Sequence, residues 1–494
     1  MPKSLLNYSL LCAGFFLSLF SHAQVQSSSC EALVSLELAD GSISSAEYVD
    51  AGSFNAPSAR DADIYAALPA FCRISAVLSP VEGSNIQIEV WLPAQGWNSK
   101  LVAVGNGGLA GSIRYNALAG AVAEGFAGVS TNTGHDGQDP GFLMDSVLLT
   151  DFAYRAIHEM TVTAKTLVTN YYSTNPRFIY FNGCSTGGRQ ALTAAQRYPD
   201  DFDGIVAGAP ANSTVRMTMQ QLWNSRLLND KPGLDLSSED FVKLNEYVMT
   251  SCDGLDGLED GLIENPAMCL ADPGSVPDFS QEQIEAIRLI YKGAVNPVSG
   301  ELIFPGFAKG SELLWTAMVS REPFSYSNDV QAIVVNQDPE WNFMSMDYSR
   351  DLSIIDNRVN LLGMQAINPD ISEFINNGGK LLLYHGWNDH LISPFNTINY
   401  YNEVLSTIGS DAQESISLFM MPGVNHCAGG AGFDTWSKLG TIDDWRESGR
   451  RPERINATHI EDGIETTRPL CVYPQSAVYT SRGEASDAAS FECQ

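Results

Sequence analysis

Apolar and polar residues alternate through Ile86-Gln-Ile-Glu-Val-Trp-Leu92, which predicts a strand with one buried face. Lys100-Leu-Val-Ala-Val104 is apolar almost without a break and reads as a strand buried on both faces. Helical spacing of apolar positions follows over Asp151–Tyr171. Another apolar run, Phe178-Ile-Tyr-Phe181, leads into an Ala-rich helix with Ala191, Leu192, Ala194 and Ala195 on one face. This alternation of strand and helix, continuing to about residue 211, is the pattern of an α/β domain. Strand signals return at Lys380-Leu-Leu-Leu-Tyr384 and Ser417-Leu-Phe-Met-Met421. Between them, over residues 212–365, the pattern changes to helical runs (Ser238–Thr250, Gln281–Lys292), acidic loops and scattered aromatics. The expected organisation is therefore one α/β domain from 24–211 and 366–494, interrupted by an inserted lid at 212–365. No internal repeat or low-complexity segment interrupts this pattern.

Where the strand at Phe178 meets the helix, the chain reads Gly183-Cys184-Ser185-Thr186-Gly187. A serine between two glycines at a strand-to-helix junction is a nucleophile elbow. The turn is strained, a Cβ on either flanking position would clash, and the serine hydroxyl is lifted above the sheet edge. A bare G-x-S-x-G in a glycine-rich chain is also a common surface turn, and it is the strand before and the helix after that favour a hydrolase. In this arrangement the acid and the base follow the serine in that order. Four histidines lie downstream of Ser185: His385, His390, His426 and His459. His426, in Met421-Pro-Gly-Val-Asn-His426, follows a late apolar strand, where a base belongs. Asp389 sits in the loop after the strand at Lys380 and fits the acid that orients the imidazole. Taken singly, His426 reads as a loop histidine and Asp389 as a turn residue. Three roles in the right order after three strands favour a triad.

Cys184 precedes the candidate nucleophile and Cys427 follows the candidate base. If Ser185 and His426 meet, these cysteines lie close enough for a disulfide joining the two loops; the alternative is two free buried thiols. The oxyanion hole needs two N–H donors. Thr186 supplies one, and the glycine-rich loop Gly105-Asn-Gly-Gly108 supplies the other, with Gly107 favoured and Gly108 open.

The chain opens with Lys3, an apolar stretch from Leu10 to Phe20, and Ser21-His-Ala23. This predicts a secretory leader, residues 1–23, cut after Ala23. No later segment approaches the roughly 20 continuous apolar residues that a membrane span requires. The protein is expected outside the cytoplasm, either secreted or periplasmic. Nine cysteines are present, and loss of Cys12 with the leader leaves an even eight, as an oxidised protein would have. Locality suggests Cys30–Cys72, Cys252–Cys269 and Cys471–Cys493. With 28 Lys+Arg against 58 Asp+Glu, the net charge is −30, which argues against a nucleic acid or an anionic membrane as partner. Oligomeric state is not encoded in any of these features.

The segment Cys252-Asp-Gly-Leu-Asp-Gly-Leu-Glu-Asp-Gly-Leu-Ile263 alternates acids with glycines. Calcium takes several oxygens at about 2.4 Å on a sharply turning chain. The spacing is not that of an EF-hand, and a solvated acidic turn is the plain alternative.

The combination Gly-Cys-Ser-x-Gly-Gly with a late Gly-x-x-His-Cys resembles the tannase and feruloyl esterase family of α/β-hydrolases, and is similar also to bacterial mono(2-hydroxyethyl) terephthalate hydrolase. The likeness extends through Trp91-Leu-Pro-Ala-Gln-Gly-Trp-Asn98, Gly105–Gly111, Thr131-Asn-Thr-Gly-His135, Tyr198–Pro210 and His385-Gly-Trp-Asn-Asp389. It implies an α/β-hydrolase fold with a large lid and a triad of Ser185, Asp389 and His426. It also implies a Cys184–Cys427 disulfide at the site, with the other bridges at similar places. By the same resemblance Asp253, Asp256 and Asp260, with the carbonyls of Leu258 and Leu262, would hold a structural Ca2+. The activity implied is that of a serine carboxylesterase acting on esters of small aromatic acids, feruloyl or galloyl in type, with a terephthalate monoester as the alternative. Trp223, Trp315, Trp341, Phe343 and Tyr348 are available to line an aromatic slot, although most aromatics in such a segment form lid core. Arg321 and Arg350 are available to meet a carboxylate. A secreted peptidase is a further possibility that the family motifs oppose. A reading of another class, a calcium-stabilised binding protein on a dead scaffold, is opposed by the presence of all three triad residues.

Overall fold

The computed structural model describes residues 29–55, 62–357 and 363–494; the leader expected at 1–23 lies outside them. The chain forms two compact units. The first comprises the described residues up to Val104 with Gly111–His135 and Ala156–Ile179; the second comprises Gly105–Ala110, Asp136–Arg155 and Tyr180–Gln494.

In the first unit β1 (Gly41–Val49), β2 (Phe71–Leu78), β3 (Ile86–Pro93), β4 (Lys100–Val104) and β5 (Ala127–Thr131) lie in the order β1-β2-β3-β5-β4. The pairs β1–β2, β2–β3 and β3–β5 are antiparallel, and β4–β5 is parallel. The run predicted at Lys100–Val104 is a strand buried along its whole length. On β3 the Trp91 ring stacks on Phe71 of β2 with centroids 4.4 Å apart. Cys30–Cys72 ties the first described residues to β2. The alternation around Ile86 forms β3, and β1 and β2 extend the sheet beyond the strands the apolar pattern predicts.

The helix expected over Asp151–Tyr171 is divided. Asp151–Arg155 is a π-helical turn and Ala156–Tyr172 an α-helix. Apolar periodicity does not report hydrogen-bond register, and here polar contacts set it. The buried Asp151 carboxylate accepts from Arg155 Nε at 2.5 Å. The carbonyls of Ala153 and Phe152 accept from the fully buried guanidinium of Arg189, at 2.8 and 3.4 Å. Single π turns inside α-helices are frequent near functional sites.

β6 (Phe178–Cys184), in the second unit from Tyr180 on, β7 (Gly204–Gly208), β10 (Lys380–Gly386) and β11 (Ile416–Met421) follow one another in that order, each parallel to its neighbour. Residues 212–365 contribute helices Thr214–Asn229, Ser238–Cys252 and Gln281–Lys292 and a short hairpin of β8 (Gly293–Val295) with β9 (Leu302–Pro305). Two of these helices begin at capping boxes, Ser237 with Asp240 and Ser280 with Gln283, which satisfy otherwise orphaned N–H groups. One apolar cluster gathers Phe241, Ile287, Phe307 and Trp315; another joins Phe152 to Leu222, Val335 and Met364. The C-terminal part forms an antiparallel hairpin, β12 (Arg454–Glu461) with β13 (Ile464–Cys471), then β14 (Ala477–Tyr479) paired with β15 (Phe491–Cys493). Among the described residues no helix is long and apolar enough to cross a membrane.

Candidate active site

Ser185 stands at the end of β6 and caps the helix Thr186–Arg197, with φ 64° and ψ −121°. Such a conformation costs a non-glycine residue on the order of 1–3 kcal/mol and persists only where surrounding bonds over-determine it. Here its N–H donates to Gly208 O at 3.0 Å, while its carbonyl accepts from Arg189 N at 3.0 Å and Ala211 N at 3.1 Å. The turn is also crowded. A Cβ on Gly183 would lie 2.7 Å from the backbone of Gly187, and one on Gly105 would lie 2.6 Å from Gly187 Cα. Glycine is required at these positions by close backbone approach, as the motif suggested.

Asp389 follows β10 and is fully buried. Its Oδ1 accepts from the N–H groups of Leu391 and Ile392 at 2.8 and 2.9 Å. Its Oδ2 lies 2.6 Å from His426 Nδ1 and 3.0 Å from His385 Nε2. Burial by itself would raise the carboxyl's pKa; the facing His426 and the hydrogen bonds from both imidazoles outweigh it and hold the group well below the usual carboxylate range. His426 lies in the loop after β11, partly exposed. The next residue, Cys427, has φ 65° and is bonded to Cys184, with Cα atoms 6.0 Å apart. The residue before the serine and the residue after the histidine are thus covalently joined. The other three anticipated pairs are present as well.

In the loop after β4, the N–H of Gly105 is taken by Asn182 O at 2.9 Å and that of Asn106 by Gln190 Oε1 at 2.9 Å. Thr186 Oγ1 donates to Gly108 O at 2.9 Å, which sets the glycine loop against the start of the helix behind Ser185.

The acidic segment forms a 3-10 turn, Asp253–Asp256, and a loop closed by Cys252–Cys269. Asp253 accepts from the N–H groups of Asp260 (3.2 Å) and Gly261 (2.9 Å). Asp260 pairs with Arg468, which also holds Glu264 at 3.0 Å. Asp256 is buried; its Oδ1 accepts from Leu258 N at 3.1 Å, and its Oδ2 is buried without a partner. Burial, with Asp260 adding its negative charge, pushes the Asp256 carboxyl up to about 6. Among the described residues no three Asp, Glu, His or Cys side chains converge as a metal site. The unpartnered Asp256 oxygen is a group that a bound cation would satisfy.

Of the aromatics considered for a slot, Trp315 is wholly inside the apolar cluster of Phe241 and Phe307. Trp223 is buried, and Trp341, Phe343 and Tyr348 are partly buried, around the cluster of Leu222. Arg321 donates to the carbonyls of Leu228 and Leu234 and is a backbone clamp. Arg350 pairs with Asp351 at 2.7 Å. Sequence reasoning left two site neighbours without a role, His385 and Arg189. Their proximity to Asp389 and Ser185 along the chain was the available signal.

A model of the family described as tannase and feruloyl esterase matches residues 72–494. An uncharacterized esterase of Xanthomonas campestris is 32% identical, over 94% of this chain and 91% of its own. A probable feruloyl esterase B-1 of Aspergillus flavus is 33% identical, over 85% of this chain and 86% of its own. The crystal structure of feruloyl esterase B from Aspergillus oryzae superposes with a TM-score of 0.85 at 29% identity, covering 95% of this chain and all of that one. A tannin acyl hydrolase from Aspergillus niger, at 22% identity and a TM-score of 0.77, shares the fold, an α/β-hydrolase.

Proposed function

Since this chain belongs to the tannase and feruloyl esterase family of carboxylic ester hydrolases, we propose that it cleaves esters of small aromatic acids through a serine acyl-enzyme. Ser185 attacks the ester carbonyl while His426 takes its proton. The imidazole then returns that proton to the leaving alcohol, and water repeats the sequence on the acyl-enzyme. Asp389 fixes the tautomer by accepting from His426 Nδ1, which leaves Nε2 to face the serine. The N–H groups of Thr186 and Gly107 receive the oxyanion. Gly105 and Asn106 have their N–H groups engaged elsewhere, which supports a donor further along that loop. The observation that carries this reading is the 2.6 Å Asp389–His426 bond on a loop tied by disulfide to the residue before Ser185.

Residues 212–365 act as a lid that supplies the apolar walls for the aromatic acyl group. Asp253, Asp256 and Asp260, with the carbonyls of Leu258 and Leu262, would hold a structural Ca2+, a reading supported by the unpartnered Asp256 oxygen. Such an ion would supply charge neutralisation to the acidic loop, apart from the reacting groups. The enzyme works outside the cytoplasm after loss of residues 1–23, consistent with its four disulfides.

A panel of methyl ferulate, methyl gallate, mono(2-hydroxyethyl) terephthalate, p-nitrophenyl acetate and a peptide tests the reading. Turnover is expected on the aromatic esters and not on the peptide. Ser185→Ala should lose on the order of 10^4-fold or more in kcat with its fold intact. Undiminished turnover in that variant would exclude the serine mechanism.

A further inference from the structure

The proposed mechanism leaves one fully buried imidazole beside the site without a role. His385, on β10, has Nε2 3.0 Å from Asp389 Oδ2 and 3.1 Å from Ile392 O, and Nδ1 2.7 Å from Thr397 Oγ1. A carboxylate and a carbonyl only accept, so Nε2 carries the hydrogen and divides it between them. Thr397 is fully buried too, and its hydroxyl has a hydrogen to give. An imidazole with hydrogen on Nε2 is an acceptor at Nδ1, so Thr397 donates there and locks the tautomer.

Asp389 therefore receives four N–H groups, two from backbone at Oδ1 and two from imidazoles at Oδ2. The backbone pair fixes one oxygen. Rotation about the Cβ–Cγ bond would carry both oxygens of the rigid carboxylate, and His385 adds an anchor on the same oxygen that meets His426. The ionisable groups facing this oxygen are His385 and His426, with His390 alongside Asp389.

We infer that His385 is a positioning residue for this esterase: its Nε2–H holds Asp389 Oδ2 in line with His426 Nδ1, and Thr397 sets the tautomer that lets it do so. This inference rests on the assignment of Asp389 and His426 as acid and base. His385 touches the acid and not the substrate. Its loss should therefore lower kcat and spare KM, because the orientation of His426 matters most in the transition state.

The experiment compares His385→Leu and His385→Gln in the full chain on methyl ferulate, with Ser185→Ala in parallel. A hydrogen bond to a charged group is worth about ten- to a hundredfold in an equilibrium or a rate. His385→Leu should lose about that much in kcat, with KM unchanged within about twofold. The amide N–H of His385→Gln reaches the Nε2 position and should recover most of it. A merely structural histidine predicts no rescue by glutamine and a loss that tracks melting temperature; that result overturns the inference. So does a His385→Leu variant as active as wild type. If Ser185→Ala stays active, the underlying mechanism fails and this inference with it; if Ser185→Ala is dead while His385→Leu is fully active, only the present inference fails. A readout independent of variant folding is the 15N spectrum of histidine-labelled wild type. His385 should show hydrogen on Nε2 and a bare Nδ1, and hydrogen on Nδ1 overturns the assignment.

Discussion

Ser185 and Asp389 illustrate opposite uses of strain and satisfaction at single positions. The serine sits in a costly backbone conformation that neighbouring backbone bonds hold in place. The aspartate is wholly buried, which would be prohibitive for a charge but for its four donors. Its folded pKa is depressed. The stability it contributes is therefore complete above the ordinary carboxylate value near 4 and is lost as pH falls toward the depressed value. Between about pH 5 and pH 2, the melting temperature of wild type should fall more steeply than that of Asp389→Asn, which cannot titrate there. At neutral pH the asparagine variant should be less stable than wild type, and about 10^3–10^4-fold slower in kcat by loss of the correct imidazole tautomer. Parallel melting curves across pH, with kcat measured at pH 7, check both statements; equal pH slopes would contradict the assigned ionisation.

The acidic loop Asp253–Asp260 is an element whose local bonds do not account for all its charges. Asp253 is met by backbone N–H groups and Asp260 by Arg468, but Asp256 keeps one buried oxygen unpartnered. If Ca2+ completes this loop, exhaustive chelation should lower the melting temperature of wild type by several degrees and leave Asp256→Ala almost unmoved. Bound calcium, at one equivalent by elemental analysis, should disappear in that variant. The pH dependence of kcat should not change on chelation, because the ion and the base occupy separate loops. No bound calcium together with an unmoved melting temperature would return the segment to a plain acidic turn. The π turn at Asp151–Arg155 makes a related point about elements. Its register follows from where Arg189 and Asp151 find partners, not from apolar spacing.

For the molecule as a whole, eight of nine cysteines are paired, and the ninth, Cys12, belongs to the expected leader. If the leader is removed as proposed, the mature protein, unfolded without reductant, should show no free thiol, and its N-terminus should be Gln24. Cys184–Cys427 closes the longest loop, with a sequence separation of 243. Replacing both cysteines by alanine should cost about 2–5 kcal/mol of stability and, on the proposed mechanism, lower kcat, since the bond joins the loops of Ser185 and His426. Thermal melts with ester kinetics check this. Unchanged values for both would mean that packing alone holds the two loops together.

The strained turn at Ser185, the loops of Asp389 and His426, and the cysteines beside them were legible in the sequence because each is a local signature: a residue type, its immediate neighbours and the strand it follows. β3, β4 and the capped helices at Ser238 and Gln281 were legible for the same reason, since their periodicity and caps are carried within a dozen residues. β1 and β2 carry no strict alternation, whereas the β12–β13 hairpin closes through a local Asp462-Gly463 turn, a signal that lay in the sequence and was left unread. Only the tertiary structure brought His385 and His426 onto one oxygen of Asp389, turned Arg321 into a clamp for Leu228 and Leu234, and buried Trp315 in the cluster of Phe241 and Phe307. Those outcomes depend on which buried polar groups find partners and which apolar faces find cover. A linear pattern supplies the candidates for such contacts, and the packed chain selects among them.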